Sequence, residues 1–396
     1  MTTLPAENRL STDQRLPSID VLRGLAVILV VLHHIHLRFK FNHYDVATLL
    51  PPPIGQVFFW SGYYAVIAFF VISGFLITSL SLRRWGTLDN ISPPAFYRLR
   101  AARIFPCLLL LLAVLAALHL AGCSSFLINP ERASLTRVLV AALTFHINWL
   151  EGMRGYLPGS WDVLWSLSVE EVFYLMFPLL CLALRRERWA LLGILALIVI
   201  GPINRTMLEG REPWSEYAYL SCMDGIAFGC LAAWVSARTQ MSRSGLRAAM
   251  AVGVAAVVLV LILFRTEAFD LGLAGVGLDV TILELGVALV LYALANGVGN
   301  HTLSKGTGLI QLVGRSSYEI YLTHMFVVLG LMHPFKTLFG ESPHSSTYPI
   351  AYVIMLALSI VLGFAVSRWY SEPLNLRLRQ QRENRAALTR GSDVPL

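Results

Sequence analysis

Arg23 and His34 bracket an apolar run, RGLAVILVVLHH, in which no residue between Arg23 and His33 ionises. Eleven residues at about 100° each make roughly three turns, so both side chains lie on one face of a helix, about 16 Å apart along it. The arginine offers a planar fork for phosphate, and the histidine can take a proton near neutral pH. Each also has a plainer reading, Arg23 as a residue snorkelling from a helix end and His34 as a ring bonded to a neighbouring helix. His33, about 100° further round, and His36, near the end of the run, read as structural.

Two further stretches converge on these residues. PGSWDVLWSLSVEEVFYLMFP, residues 158–178, puts Glu170 and Glu171 about one turn into an apolar segment. Neighbours in sequence do not share a helix face, so one carboxylate at most points with His34. A histidine with a carboxylate partner is a general-base arrangement, in which the carboxylate fixes the tautomer and stabilises the imidazolium. The plainer alternative is a pair of charges at the outer interface. AFYRLRAARIFP, residues 95–106, sets Arg98, Arg100 and Arg103 immediately before a span, beside the end of the first helix that carries Arg23. Together they suit a phosphate-rich ligand, or they mark only which side of the membrane is cytoplasmic. One end of such a groove would hold a phosphorylated donor and the other a base, which is the geometry of group transfer across a membrane.

The elements that must position these groups are membrane helices. The chain has 396 residues, 56% hydrophobic and 14% charged, with mean hydropathy +0.64, which excludes an ordinary soluble domain. The first apolar stretch is long and follows the polar segment Met1–Ser18, so it reads as a retained span and not a cleaved signal. At about 20 residues per crossing, spans are predicted near 20–38, 57–81, 104–121, 166–184, 189–204, 217–236, 248–264, 279–298, 312–332 and 349–369. Residues 134–150 are short and end in His146, Asn148 and Trp149. If they do not cross, then Arg83, Arg84, Arg98, Arg100, Arg103, Arg185, Arg186, Arg188, Arg238, Arg243, Arg247, Lys305, Arg315 and the basic tail all fall inside. The predicted fold is therefore an all-α polytopic bundle of about ten transmembrane helices. Both ends are cytoplasmic, and 134–150 forms a short re-entrant or interfacial helix on the outer side, where protein or a watery cavity must satisfy its backbone. By domain, 1–17 is a cytoplasmic leader, 18–371 the membrane unit and 372–396 a basic cytoplasmic tail. The net charge of +7 and pI near 9.3 fit that loop bias without nucleic acid. The five cysteines form no CxxC and no cluster with histidine, so neither a disulfide framework nor a metal is expected.

Arg23-x10-His34, FFVISGFLIT (69–78), Arg100-x-x-Arg103 followed by IFP, WSLSVEEVFYLMFP (165–178) and SYEIYLTH (317–324) occur in that order from about residue 17 to 370. Together they resemble the acyltransferase 3 family of integral membrane O-acyltransferases. The resemblance implies a ten-span core in the bacterial cytoplasmic membrane. It carries an acyl group, usually acetyl, from cytosolic acyl-coenzyme A to a hydroxyl of lipopolysaccharide, exopolysaccharide or another glycan or glycolipid. It implies no permanently bound cofactor, and partners limited to acyl-coenzyme A, the carbohydrate acceptor and membrane lipids. On this likeness His34 is the essential histidine, Glu170 its acidic aid, and Arg23, Arg100 and Arg103 bind the donor. Glu170 is preferred to Glu171 because the family pattern is looser at the second position. Asp20, Arg98, Tyr321 and His324 are candidate supporting residues, though Tyr318, Tyr321 and His324 could equally serve helix packing. Val21 stands where the family often has glycine, which a helix can absorb. Some members carry a further secreted domain after the last span, whereas the resemblance here leads to a chain acting alone or with a separate partner.

The expected chemistry is attack of an acceptor hydroxyl on the thioester, directly or through an acyl-histidine. Asn148, Trp161 and Ser166 are candidate oxyanion donors by location. A proton-coupled transporter or flippase of a glycan or lipid-linked intermediate is the alternative, with the deep histidine and glutamate as a proton relay. A glycan polymerase or ligase would need larger outer loops than those around 122–165 and 333–348.

Overall fold

The structure is a computed structural model and describes residues 16–44, 46, 49–183, 186–263, 277–340, 344 and 346–379. The expected leader, except its last residues, Arg185 and the tail from 380 lie outside the described residues. The helices are α1 (Pro17–Phe41), α2 (Pro52–Trp60), α3 (Gly62–Trp85), α4 (Pro93–Leu120), α5 (Leu135–Leu143), α6 (Ile147–Arg154), α7 (Gly159–Asp162), α8 (Leu164–Ala183) and α9 (Glu187–Met207). They continue as α10 (Trp214–Tyr217), α11 (Tyr219–Arg238), α12 (Arg243–Val258), α13 (Leu278–Ala295), α14 (Asn300–Ser304), α15 (Gly308–Arg315), α16 (Ser317–Phe339) and α17 (Thr347–Val366). There is no strand among the described residues. Ten helical stretches among the described residues are long and apolar enough to cross a membrane, and each overlaps one predicted span.

Residues 134–150 do not cross. α5 and α6 have 9 and 8 residues, about 12–14 Å each, less than half a bilayer core. They break at Phe145, whose φ is +58°. The break is satisfied by protein, as a backbone buried at that depth requires. The Tyr219 hydroxyl donates to the Phe145 carbonyl at 2.5 Å, and the Ile147 amide donates to the Ser168 hydroxyl at 3.2 Å.

Two helix pairs approach closely enough to need glycine. A Cβ on Gly74 of α3 would run into the Ile226 carbonyl, and one on Gly229 of α11 into that of Val71. Without a hydrophobic drive between helices in lipid, such small-residue contacts supply the packing. Gly24 of α1 and Gly314 of α15 meet in the same way, each against the other helix's backbone. That contact brings Arg315 to Asp20, Nε to Oδ2 3.2 Å. On a neighbouring face of α1, Val27, Val31, Ile35 and Phe39 repeat every fourth residue and pack on α16 and α17. Arg23 and His34 are thereby left facing the bundle interior.

Two boundaries differ from the sequence reading. α4 starts at Pro93, so Arg98, Arg100 and Arg103 are already helical and do not precede the span. The Pro93-Pro94 start suits the first helical turn, where no backbone donor is missed. After α17 the last helix passes through a π-helical turn, Ser367–Ser371, and runs on to Arg379. Residues 372–379, expected in the tail, therefore belong to the bundle. None of the five cysteines forms a disulfide, and four of them are buried.

Candidate active site

At the end of the bundle where α1 begins, the proximal end, lies a cavity of about 630 Å3, within the range of about 300–1,000 Å3 typical of small-molecule sites. Asp20 and Arg23 of α1 enter it one turn apart, as do Arg100 and Arg103 of α4, because residues three apart share a helix face. α3 contributes Phe69, Ser73 and Arg83, α8 contributes Ser166, Glu170, Glu171 and Tyr174, and α16 contributes Tyr318 and Tyr321. Arg368, Glu372 and Arg379 come from the extended last helix. With Arg315, seven arginines among the described residues line the space against four acidic residues, so its field is cationic and favours anions.

Some of those arginines are already committed. Arg103 pairs with Glu319, Nη1 to Oε1 2.8 Å and Nη2 to Oε2 3.5 Å, and the Ser371 hydroxyl donates to the same Oε1 at 2.8 Å. It therefore ties α4 to α16 and to the π-helical turn. Arg100 lies over the Tyr174 ring, 4.7 Å from its centroid. Among the described residues, neither Arg100 nor Arg23 has a carboxylate within ion-pair distance. These two guanidinium forks remain for a ligand. Arg98 is exposed and outside the cavity wall.

Glu170 does not pair with His34. It accepts hydrogen bonds from the Ser73 and Tyr174 hydroxyls. Tyr174 is one turn along the same helix face, and Ser73 faces it from α3. The carboxylate thus belongs to the proximal cavity, and Glu171 lines it too, with Oε1 buried and unpartnered. His34 lies beyond, half-buried, its Nδ1 buried without a hydrogen-bond partner. Its ring is 5.0 Å from that of His324, centroid to centroid. The link to the cavity is Tyr321, whose ring is 6.0 Å from that of His324. Its hydroxyl lies 2.7 Å from Ser166 Oγ and donates to the Val163 carbonyl at 3.0 Å. His33 and His36 are structural, as their positions implied. Nδ1 of His33 is 2.7 Å from the Phe59 carbonyl, and Nδ1 of His36 is 3.1 Å from the Tyr352 hydroxyl.

Of the three oxyanion candidates, two are occupied elsewhere. The Trp161 indole N–H, the only donor of that side chain, goes to the Phe126 carbonyl at 3.1 Å, and Asn148 Nδ2 donates to the Tyr217 carbonyl at 3.0 Å. Neither lines the cavity, whereas Ser166 does. Several residues escaped the sequence reading. Arg38, one turn past His34, has a buried Nε without a partner and acts electrostatically on Asp162. Its signal was its i+4 spacing from His34. Glu319 sits inside SYEIYLTH but reads as one more polar residue there.

Beside Asp162, Glu151 of α6 is fully buried and accepts from the Leu157 amide at 2.9 Å. Burial, and then the charge of Asp162, push the Glu151 carboxyl well above the usual carboxylate range. The native state thus holds a proton that the unfolded chain releases, so stability is full at low pH and falls as pH rises from about 4 towards the raised value. Glu151→Gln keeps the acceptor and removes the proton. Unfolding midpoints in detergent between about pH 5 and 9 should fall less steeply for the variant than for wild type; parallel profiles would contradict this assignment.

A cationic cavity at one end of the bundle is thus joined through Tyr321 to a histidine pair. A family profile described as an acyltransferase domain matches residues 16–368, from the start of α1 to the π-helical turn. The chain belongs to the acyltransferase 3 family. Among curated proteins it is similar to the O-acetyltransferase OatA of Staphylococcus aureus, in strains NCTC 8325 / PS 47, COL and MRSA252. Each is 28% identical over 165 residues, which are 41% of this chain and 24% of the relative. The match thus spans about a quarter of the length of these relatives. No solved structure matches the chain. The fold and the family together make it a multi-pass membrane protein with an acyltransferase domain.

Proposed function

We propose that the chain is a membrane O-acyltransferase. It takes an acyl group, acetyl by the names of its relatives, from acyl-coenzyme A at the proximal cavity and gives it to a hydroxyl of a cell-surface glycan. The observation that carries this reading is the pair of uncompensated guanidinium groups, Arg23 and Arg100, in a cavity whose inner residue, Tyr321, adjoins the histidines. Arginine forks suit the coenzyme's phosphates, and the arginine-rich proximal end suits the cytoplasmic face of a bacterial membrane. The pantetheine arm then runs past Ser73 and Tyr174 towards Ser166 and Tyr321.

His34 Nε2 takes the proton of the acceptor hydroxyl as its oxygen attacks the thioester carbonyl carbon. The new C–O bond forms, the C–S bond breaks, and the departing thiolate recovers the proton from the imidazolium. Ser166, whose single hydroxyl hydrogen is engaged at the Tyr321 oxygen, would turn from it to donate to the oxyanion. Glu170, held by Ser73 and Tyr174, orients Tyr174, the ring under Arg100, and so shapes the donor site.

Arg100→Gln removes one charge-assisted contact, about 1.5–3 kcal/mol, and should weaken acetyl-coenzyme A binding about 10- to 100-fold with kcat little changed. Titration calorimetry on the purified protein checks it; unchanged affinity would remove Arg100 from the donor site.

A further inference from the structure

Nδ1 of His34 and Nε2 of His324 are both buried without a hydrogen-bond partner, and they belong to neighbouring rings, 5.0 Å apart and tilted by 57°. One orphaned buried nitrogen is costly, while two on neighbouring rings are a donor and an acceptor that have not closed. The chemistry says which is which. His324 Nδ1 lies 2.6 Å from the Tyr321 carbonyl oxygen. A carbonyl only accepts, so Nδ1 carries the hydrogen, and in the neutral ring Nε2 is left with a lone pair. If His34 donates Nδ1–H to that lone pair, its own Nε2 becomes the basic nitrogen.

We propose that His324 is the positioning residue of His34, in the place where the sequence suggested a carboxylate. The inference rests on the reading of His34 as the base. His324 fixes the tautomer of His34 and holds its ring; when Nε2 takes the acceptor proton, the imidazolium's Nδ1–H is stabilised by the His324 lone pair. A neutral partner suits this position, because an isolated carboxylate in the bundle interior would carry a desolvation cost even at rest. His33 cannot fill the role: its Nδ1 is engaged with the Phe59 carbonyl at 2.7 Å, and it stands next to His34 in sequence. Glu170 is engaged by Ser73 and Tyr174. The His34–His324 contact closes by rotation about χ2, a broad torsion in histidine, in keeping with catalytic hydrogen bonds that tighten only when substrate is bound. Tyr321 couples the dyad to the cavity, since its carbonyl orients His324 while its hydroxyl reaches Ser166.

The test uses the full chain in nanodiscs, with acetyl-coenzyme A binding and thioester turnover measured for wild type, His324→Leu, His324→Gln, His34→Ala and the His34→Ala/His324→Leu double variant. Gln offers an oxygen acceptor near the position of Nε2. The expected result is donor affinity within about twofold of wild type throughout. Against that, kcat falls about 10²- to 10³-fold in His324→Leu and by no more than about tenfold in His324→Gln. Adding His324→Leu to His34→Ala should cost nothing further, because the residue acts only through His34. An unchanged kcat in His324→Leu, an equal loss in Gln and Leu, or an additive double variant overturns the inference while leaving acyl transfer standing. A wild type that neither binds nor turns over acetyl-coenzyme A overturns the acyl-transfer reading and this inference with it.

Discussion

His34→Ala should lower acyl transfer by about 10²- to 10⁴-fold, the range over which a positioned general base contributes, and leave the dissociation constant for acetyl-coenzyme A within about twofold of wild type. The split follows from the layout of the site. His34 is absent from the cavity wall that holds Arg23 and Arg100, so its loss removes chemistry without removing a donor contact. Its side chain is half-buried, and its nearest rings, His33 and His324, are held by the Phe59 and Tyr321 carbonyls and not by His34. Removing the imidazole therefore leaves its neighbours anchored. Single-turnover assays with radiolabelled acetyl-coenzyme A, set beside equilibrium binding, check both halves. A variant that retains wild-type turnover would show that His34 is not the base.

The largest expected effect on stability lies elsewhere, in an ionic cluster between α9, α11 and α13. Arg205 meets Asp224 in a two-pronged pair, Nη1 to Oδ1 3.0 Å and Nη2 to Oδ2 2.7 Å, with Thr281 Oγ1 2.9 Å from Nη2 and the Ser221 carbonyl 2.5 Å from Nη1. Glu284 stands second, 3.9 Å from Nη2. The three side chains are 5%, 0% and 0% exposed. Breaking a buried pair from one side strands the other charge and costs about 3–5 kcal/mol. Asp224→Ala should therefore collapse the yield of folded protein and lower its unfolding midpoint sharply. Glu284→Gln, which leaves the Arg205–Asp224 pair intact, should cost less than about 1.5 kcal/mol. Denaturant unfolding of both variants in detergent would decide; a mild Asp224→Ala would mean that Glu284 alone can hold the cation. The cluster does not line the proximal cavity, so its role in this account is to fix helices and not to carry protons.

The ten crossings were legible because lipid demands long apolar runs, and the parity of the basic loops kept 134–150 out of the count. The break at Phe145 bears this out. Helix ends were less legible. Apolar character marks where lipid lies and not where a helix starts, so the polar, arginine-bearing turns of α4 and the extension from Glu372 to Arg379 were assigned to loop and tail. The Arg23–His34 spacing placed both on one inward face because that geometry is internal to a single helix. The partners of each residue were another matter. Depth along α8 suggested that Glu170 could meet His34, but depth does not say which way a side chain turns, and Glu170 turns to Ser73 and Tyr174 in the proximal cavity. Arg103 faces Glu319, 216 residues away in sequence, and a contact of that range leaves no trace in local pattern. His324 was named as a supporting residue, but its relation to His34 appears only once α1 and α16 run side by side.

In the proposed reaction the arginine-lined cavity feeds an acyl group to His34. The most direct measurement is turnover of radiolabelled acetyl-coenzyme A by the purified chain in nanodiscs, with wild type, His34→Ala and Arg100→Gln compared across donor concentration. Wild type should bind the donor and release coenzyme A. His34→Ala should bind without turnover, and Arg100→Gln should turn over only at raised donor concentration. A wild-type protein that shows neither binding nor release, at any donor concentration tested, would contradict it.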